Sequence, residues 1–281
     1  MTDRAIDIAP DRASTAGGGL TRRVSFLTDI ATISRRAIRS VMREPEFVIP
    51  ALIIPVFFFV VNTGALESFV EGQAPAGSNV SLDYRGFQLP VAIIFAVTGI
   101  SRASVLVIDI QSGYLDRMLV TPIRRTTLLF GLMVADVVMA LGLALFVVAM
   151  GLVFGVWFET GVLGLLVFLL LSIAWSLAYS GIPYTVALRT GNPAAVNSSF
   201  LIFFPFAFLT PSFLPRELMS GWLRAVAGWN PVTYLLEAMR TILFDGWNAA
   251  MILKGAGAIA GLAVVTFFMA FRSLNRRVAT G

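Results

Sequence analysis

The sequence predicts an all-α, polytopic membrane protein with six transmembrane helices, and three observations carry that expectation. Of 281 residues, 57% are hydrophobic and 13% charged, with a positive mean hydropathy, a balance that soluble domains rarely reach. The apolar residues come in long runs, and a helix rising about 1.5 Å per residue crosses roughly 30 Å of hydrocarbon in about 20 residues. Runs such as LGLLVFLLLSIAWSLAY, Leu163 to Tyr179, also lack the alternating segments of a membrane barrel.

Taken in order, Met1 to Thr21 is polar and contains TAGGG, so residues 1–21 read as a disordered cytoplasmic tail and residues 22–281 as one transmembrane domain. From Leu27 the pattern turns helical: Leu27, Ile30, Ala31, Ala37, Ile38 and Val41 recur at steps of three and four, opposite Arg35, Arg36, Arg39 and Arg43. An amphipathic helix in the membrane interface, arginines toward lipid phosphates, fits that pattern; a solvated helix on a soluble partner is the alternative. The first apolar run begins only near Phe47, so no signal peptide is expected before it. Span one is expected over Phe47 to Leu66, bent early by Pro50 and Pro55, with a loop from Glu67 to Gln88. Span two covers Leu89 to Ile108, and span three Thr127 to Phe154, followed by the link GVWFET. Span four is Val162 to Tyr184, ALRTGNP turns the chain, and span five is Ala194 to Leu214. A semi-polar segment from Pro215 to Trp247 is expected to hold short outer helices, and span six covers Ala249 to Phe271.

Six spans put both termini on one side. The N-terminal region, the stretch Ser112 to Arg125, Arg189, and Arg272, Arg276 and Arg277 fall on that side, against Arg85, Arg216, Arg224, Arg240 and Lys254 on the other. That asymmetry makes the termini cytoplasmic, and it accounts for the net charge of +5 without invoking nucleic acid. Cysteine and histidine are both absent, which removes disulfides, thiolate chemistry, the commonest general base and the commonest zinc ligand.

Charges within spans need partners, since one at mid-bilayer costs about 2.5 to 3.5 kcal/mol on insertion scales. Arg102 and Asp136 lie at similar depths on the adjoining spans two and three, and they are expected to pair. Structural glue, a gate and a proton relay are the roles open to such a pair; an exchange of the two residues is expected to restore what single neutral substitutions lose. Gly257-x3-Gly261 and Gly151-x3-Gly155 read as close helix packing, and Asn197, Ser198 and Ser199 as bonds across helices or cavity lining. Glu237 and Arg240 are spaced to pair, and Trp157, Trp222, Trp229 and Trp247 to form an outer aromatic belt.

The most polar segment between two spans is SGYLDRMLVTPIRR, Ser112 to Arg125. Gly113 permits a sharp entry, Tyr114, Leu115, Met118 and Leu119 share one face of a short helix, Asp116 and Arg117 sit off it, and Pro122 stops it. An apolar knob rimmed by arginines suits a groove on a partner; a helix lying on the membrane surface is the other reading.

The spacing Asp109, Gly113, Arg117, Pro122, Arg125, then Gly131 and Asp136, resembles the permease subunit of type 2 ATP-binding cassette (ABC) exporters, most closely the drug-resistance branch. A second block, FLPRELMSGWLRAVAGWNPVTYLLEAMRTILFDG, with Pro215, Asn230, Pro231, Arg240 and Gly246, is similar to the family's segment between the last two spans. Where members often carry Arg-Glu before the motif glycine, this chain has Ile110 and Gln111. The resemblance implies a bacterial plasma-membrane permease that exports a hydrophobic or amphipathic small molecule or a lipid. It implies a separate ABC ATPase holding ATP and Mg, a second permease copy or paralogue, surrounding membrane lipids, and no catalytic or cofactor site in this chain. Gly113, Tyr114, Leu115, Arg117, Met118, Leu119, Pro122 and Arg125 would then form the coupling helix gripped by the ATPase. The sequence itself has no G-x-x-x-x-G-K-[ST] loop to cradle phosphates. A proton-coupled secondary transporter is the rival, and it would want mid-membrane acids, of which Asp136 is the clear candidate. An intramembrane enzyme would need a His, Asp, Glu or Cys cluster that this composition disfavours.

Overall fold

A computed structural model of the chain describes residues 34–35, 39, 45–72, 83–99, 101–113, 125–213, 216 and 219–280, and among these it is helical, with no strand. The tail 1–21, the interfacial helix apart from Ser34, Arg35 and Arg39, and Tyr114, Leu115, Arg117, Met118, Leu119 and Pro122 lie outside the described residues.

Helix α1, Pro45–Gly72, holds the first expected span and runs past Leu66, shortening the expected loop. Helix α2, Tyr84–Thr98, opens before Leu89 because Asp83 caps it, its Oδ1 accepting the N–H groups of Arg85 at 3.1 Å and Gly86 at 3.2 Å. After a break comes α3, Ala103–Gln111. Helix α4 is Arg125–Val153 and α5 Gly161–Thr190, the latter closed by Gly191 at φ +57° with its N–H donating to the Ala187 carbonyl.

The fifth expected span is not one helix. Helix α6, Pro193–Ser198, starts on an Asn192 cap with proline at its first position; a 3₁₀ turn, Ser199–Ile202, and α7, Phe203–Phe208, follow. Ser199 turns its hydroxyl onto the Val196 carbonyl at 2.6 Å, and Tyr179 donates to the Ser199 carbonyl at 3.2 Å. Side-chain bonds therefore replace part of a regular helical ladder. Asn230 ends α7 by donating to the Phe206 carbonyl at 2.6 Å and the Leu209 carbonyl at 3.1 Å. Its Oδ1 also caps α9, Pro231–Phe244, which follows the short α8, Gly221–Ala227. Helix α10, Ala249–Thr280, is the last described element and carries Arg272, Arg276 and Arg277 beyond Phe271, the expected end of span six.

Four stretches among the described residues are long and apolar enough to cross a membrane: Tyr84–Gln111 counted through its break, Leu129–Val153, Gly161–Thr190 and Ala249–Arg277. Of the other two expected spans, the first shows a shorter apolar helix at Ala51–Ala65, and the fifth the broken stretch Pro193–Phe208.

Helix α5 is central, packing on α10, α4, α2 and α3, while α10 also packs on α9 and α1 on α2. Two apolar cores result. One gathers Leu89, Ile93, Ala144, Val147, Phe168, Trp175, Leu235 and Ile242, and the other Leu106, Val107, Leu129, Met133, Tyr184, Leu188, Ala270 and Leu274. Lipid tails are as apolar as these side chains, so close packing and polar bonds, more than burial itself, hold such helices together.

Close approach occurs at one of the expected glycines, Gly151, and at others that the spacing did not single out. A β-carbon on Gly181 would lie 2.7 Å from Thr266 main-chain and side-chain carbons, and one on Gly255 would lie 2.6 Å from the Ala238 β-carbon. At Gly257 and Gly261 a β-carbon would meet nothing within 4 Å, so the expected packing of that pair within the chain is not what the fold uses. Gly151 does pack, on Leu89, while Gly155 at φ +88° ends α4. The expected pairing of Glu237 with Arg240 is replaced as well. Arg216 Nη1 sits 3.3 Å from Glu237 Oε1. Arg240 lies over the Phe87 ring at 3.4 Å and donates to the Phe87 carbonyl at 3.2 Å and the Pro211 carbonyl at 2.7 Å. A buried guanidinium with carbonyls to satisfy joins α9 to α2 and to the turn after α7. Trp157, Trp222, Trp229 and Trp247 are all exposed.

Candidate functional site

The break between α2 and α3 falls between the two apolar cores. Opening a helix inside hydrocarbon leaves carbonyls at the end of one piece and N–H groups at the start of the next without partners, and water is not there to take them. Two neighbouring helices supply what is missing. From α5, Ser176 donates to the Val97 carbonyl at 3.0 Å, and Trp175 Nε1 donates to the Thr98 hydroxyl at 2.8 Å. From α4, Asp136 Oδ1 accepts the Arg102 main-chain N–H at 2.6 Å. Tyr184 of α5 donates its hydroxyl to Asp136 Oδ2 at 2.7 Å. The Ser101 hydroxyl accepts the Ala103 N–H at 3.1 Å. Asp136, Tyr184, Arg102, Thr98, Trp175 and Ser176 are all buried.

The structure therefore brings Arg102 and Asp136 together, through a hydrogen bond from the Arg102 main-chain N–H. A carboxylate at the N–H of Arg102, the residue just before α3, also lies near the positive end of that helix, where an anion is favoured. The sequence reading singled out Asp136 but missed Tyr184, Trp175 and Ser176. A signal for two of them was present, since Ser172, Ser176, Ser180 and Tyr184 recur every four residues along an otherwise apolar span.

The far end of α3 shows the second feature. Ser112 and Gly113 close the helix with N–H bonds to Ile108 at 2.9 Å and Ile110 at 3.1 Å, and Gly113 stands at φ +68°, a conformation that favours glycine. Arg125, the last of the motif residues, begins α4. Gln111 Nε2 donates to the Gly191 carbonyl at 2.8 Å, Arg277 Nη1 to the Leu188 carbonyl at 2.9 Å, and Arg189 Nε to the Ser273 hydroxyl at 3.1 Å. Ser34 is buried, with its hydroxyl on the Gly131 carbonyl at 3.0 Å, while Arg35 and Arg39 are exposed. The ends of α3, α5 and α10 thus meet at one end of the bundle, and Ser34 bonds to α4 near its start.

Residues 28–244 match the model of a family described as ABC-2 type transporter. The chain is 26% identical over 274 residues to a daunorubicin resistance ABC transporter permease protein of Streptomyces coeruleorubidus, covering 94% of this chain and 93% of that protein. It is 25% identical over 249 residues to a Mycobacterium tuberculosis protein named "Probable doxorubicin resistance ABC transporter permease protein", covering 87% of this chain and 86% of that one.

Proposed function

The chain belongs to the ABC-2 type transporter family, among the membrane permeases of its drug-resistance branch, and from that membership we propose that it forms the transmembrane path of an exporter driven by a separate ABC ATPase. The observation that carries the reading is the family match across residues 28–244. In this reading the chain contributes path and coupling surface, and ATP with Mg binds on the partner. The cargo is a hydrophobic or amphipathic small molecule or a lipid; the drugs named for the two relatives fall within that class.

Tyr114 to Leu119 form the coupling helix, with Tyr114, Leu115, Met118 and Leu119 seated in a groove of the ATPase and Arg117 and Arg125 at its rim. The left-handed turn at Gly113 supports this, because it stops α3 and frees the next residues to change direction. Both termini lie on the cytoplasmic side of a plasma membrane, and two permeases with two ATPases make the working unit. Closure of the ATPases pulls the end where α3, α5 and α10 meet, and the break at Gly99 to Arg102 lets α2 and α3 turn relative to each other. Asp136 keeps the broken span in register, a structural role supported by the two donors that engage its carboxylate.

Transport in inverted vesicles holding the chain and its ATPase tests this reading. Uptake should require ATP, survive a protonophore, and stop when the phosphate-binding lysine of the ATPase is changed to alanine. Uptake that follows the proton gradient without ATP would favour the secondary-transporter reading and remove this one.

A further inference from the structure

The two interrupted spans touch where both are interrupted. One opens between Thr98 and Ala103, and the other is broken by the 3₁₀ turn Ser199–Ile202. A β-carbon on Gly99 would stand 3.6 Å from the Phe200 ring, and the Ser104 hydroxyl donates to Asn197 Oδ1 at 3.0 Å. Irregular backbone at membrane depth persists only where protein buries it or where it lines a water-filled cavity. Toward α4 and α5 this junction is buried. Toward α6 it is not: Gly99, Asn197 and Ser198 are exposed, and Ser101 and Ser104 are half-buried.

Of the run Asn197-Ser198-Ser199, Ser199 alone turns inward, onto the Val196 carbonyl. Asn197 accepts from Ser104, and among the described residues nothing takes the N–H groups of its Nδ2 or engages the Ser198 hydroxyl. Ser104 stands seven positions before Gln111, or about 10 Å inside the end where Gln111 bonds to Gly191. An unpaired amide against hydrocarbon at that depth is costly, so such groups face protein or water. Exposed Asn192 and Ala194 lead to Asn197 from that same end. Beyond Asn197 the surface turns aromatic: half-buried Phe200 and Phe204 meet with ring centroids 5.2 Å apart, and Phe204 stacks on exposed Phe208 at 6.1 Å. No charged residue occurs between Arg189 and Arg216.

We propose that Asn197 and Ser198 line a water-filled recess between α3 and α6, and that this recess receives the carbonyl end of a neutral, flat cargo molecule. With Oδ1 held by Ser104, Asn197 presents donors, and the Ser198 hydroxyl adds another, so the site suits an oxygen acceptor. A segment without charge suits a neutral group, and the Phe200 and Phe204 rings suit a flat apolar body. That the occupant is cargo rests on the export proposed above, whereas the recess needs only the membrane setting.

The chain has no cysteine, so single-cysteine variants report water access without background. They are made in inverted vesicles holding the chain and its ATPase without nucleotide. A charged methanethiosulfonate reagent reacts with thiolate, which forms in water and is suppressed in apolar surroundings. Asn197→Cys and Ser198→Cys should therefore react at least about tenfold faster than Val264→Cys, which is exposed within the apolar span of α10. Fluorenone, a flat ketone, should protect Ser198→Cys in preference to fluorene, the same frame without the oxygen. Adding Asn197→Leu should cut that preference roughly tenfold at unchanged melting temperature. Rates at 197 and 198 as slow as at 264 overturn the recess. Rates that rise only when the chain is dispersed as a monomer in detergent also overturn it, because a second copy would then cover this surface. Protection by neither compound, or a preference that Asn197→Leu leaves unchanged, overturns the carbonyl assignment. Proton-driven transport would remove the export reading without altering the labelling rates, so the two fail separately.

Discussion

At the scale of single residues, Asp136 is the side chain on which most depends. Its carboxylate accepts from two buried donors on different segments, the Arg102 N–H and the Tyr184 hydroxyl. Asp136→Ala leaves both without an acceptor, and a buried unpaired polar group costs about 1–3 kcal/mol. A clear fall in melting temperature in detergent is the expected result, with Asp136→Asn less severe because its amide oxygen still accepts. Tyr184→Phe should cost less than Asp136→Ala, and the double variant less than the sum, since both remove one shared bond. Equal, additive losses would show that the carboxylate acts elsewhere. The same geometry alters what exchanging Arg102 and Asp136 should do. A residue other than proline at position 102 keeps its main-chain N–H, so that bond depends on the carboxylate at 136. Arg102→Asp with Asp136→Arg would place a cation against the start of α3, and it should fail to restore stability.

At the scale of helices, the fold is held at crossings and caps. Gly181 faces the main chain of Thr266 where α5 crosses α10, so even a methyl group forces the helices apart. Overpacking of that kind costs about 1–3 kcal/mol; Gly181→Ala should lower the melting temperature, whereas Gly261→Ala, in open space, should leave it unchanged in detergent. The reverse ranking would mean that α10 is turned the other way. These crossings explain what was legible beforehand. Span positions follow from uninterrupted apolar runs, so both ends of α4 and the start of α5 fall within two residues of expectation, while α5 runs on past Tyr184 to Thr190. Helix breaks are different, because the sequence at Gly99 to Arg102 carries no proline. What opens the span there is the supply of partners from Trp175, Ser176 and Asp136, and those are distant in sequence. The broken fifth span was more readable, through Asn192-Pro193, the Asn197-Ser198-Ser199 run and Pro205. Small-residue spacing alone did not show which glycines face a neighbour: Gly257-x3-Gly261 has the pattern, while Gly181 and Gly255 have the contact.

At the scale of the whole molecule, a coupling surface differs from a structural one in what its loss leaves behind. The buried cores, the capped break and the α5–α10 crossing all lie within the described helices, whereas the apolar side chains proposed for the ATPase groove lie between Gly113 and Arg125. Leu119→Asp places a charge where a desolvated contact is required, and a central interface anchor is worth about 2 kcal/mol or more. The ATPase should then bind roughly thirty-fold more weakly, by the factor of ten per 1.4 kcal/mol, and substrate-stimulated ATP hydrolysis and export should both fall. The melting temperature of the isolated chain should not move. Gly113→Ala acts on the same surface by another route, since it strains the left-handed turn by about 1 kcal/mol and biases α3 toward continuing. It should weaken coupling less than Leu119→Asp does, and Leu119→Met should retain it, because a similar volume still fills the groove. If Leu119→Asp lowers the melting temperature as much as it lowers export, the segment is part of the packed fold, and force from the ATPase must enter through the N-terminal segment that Ser34 ties to α4.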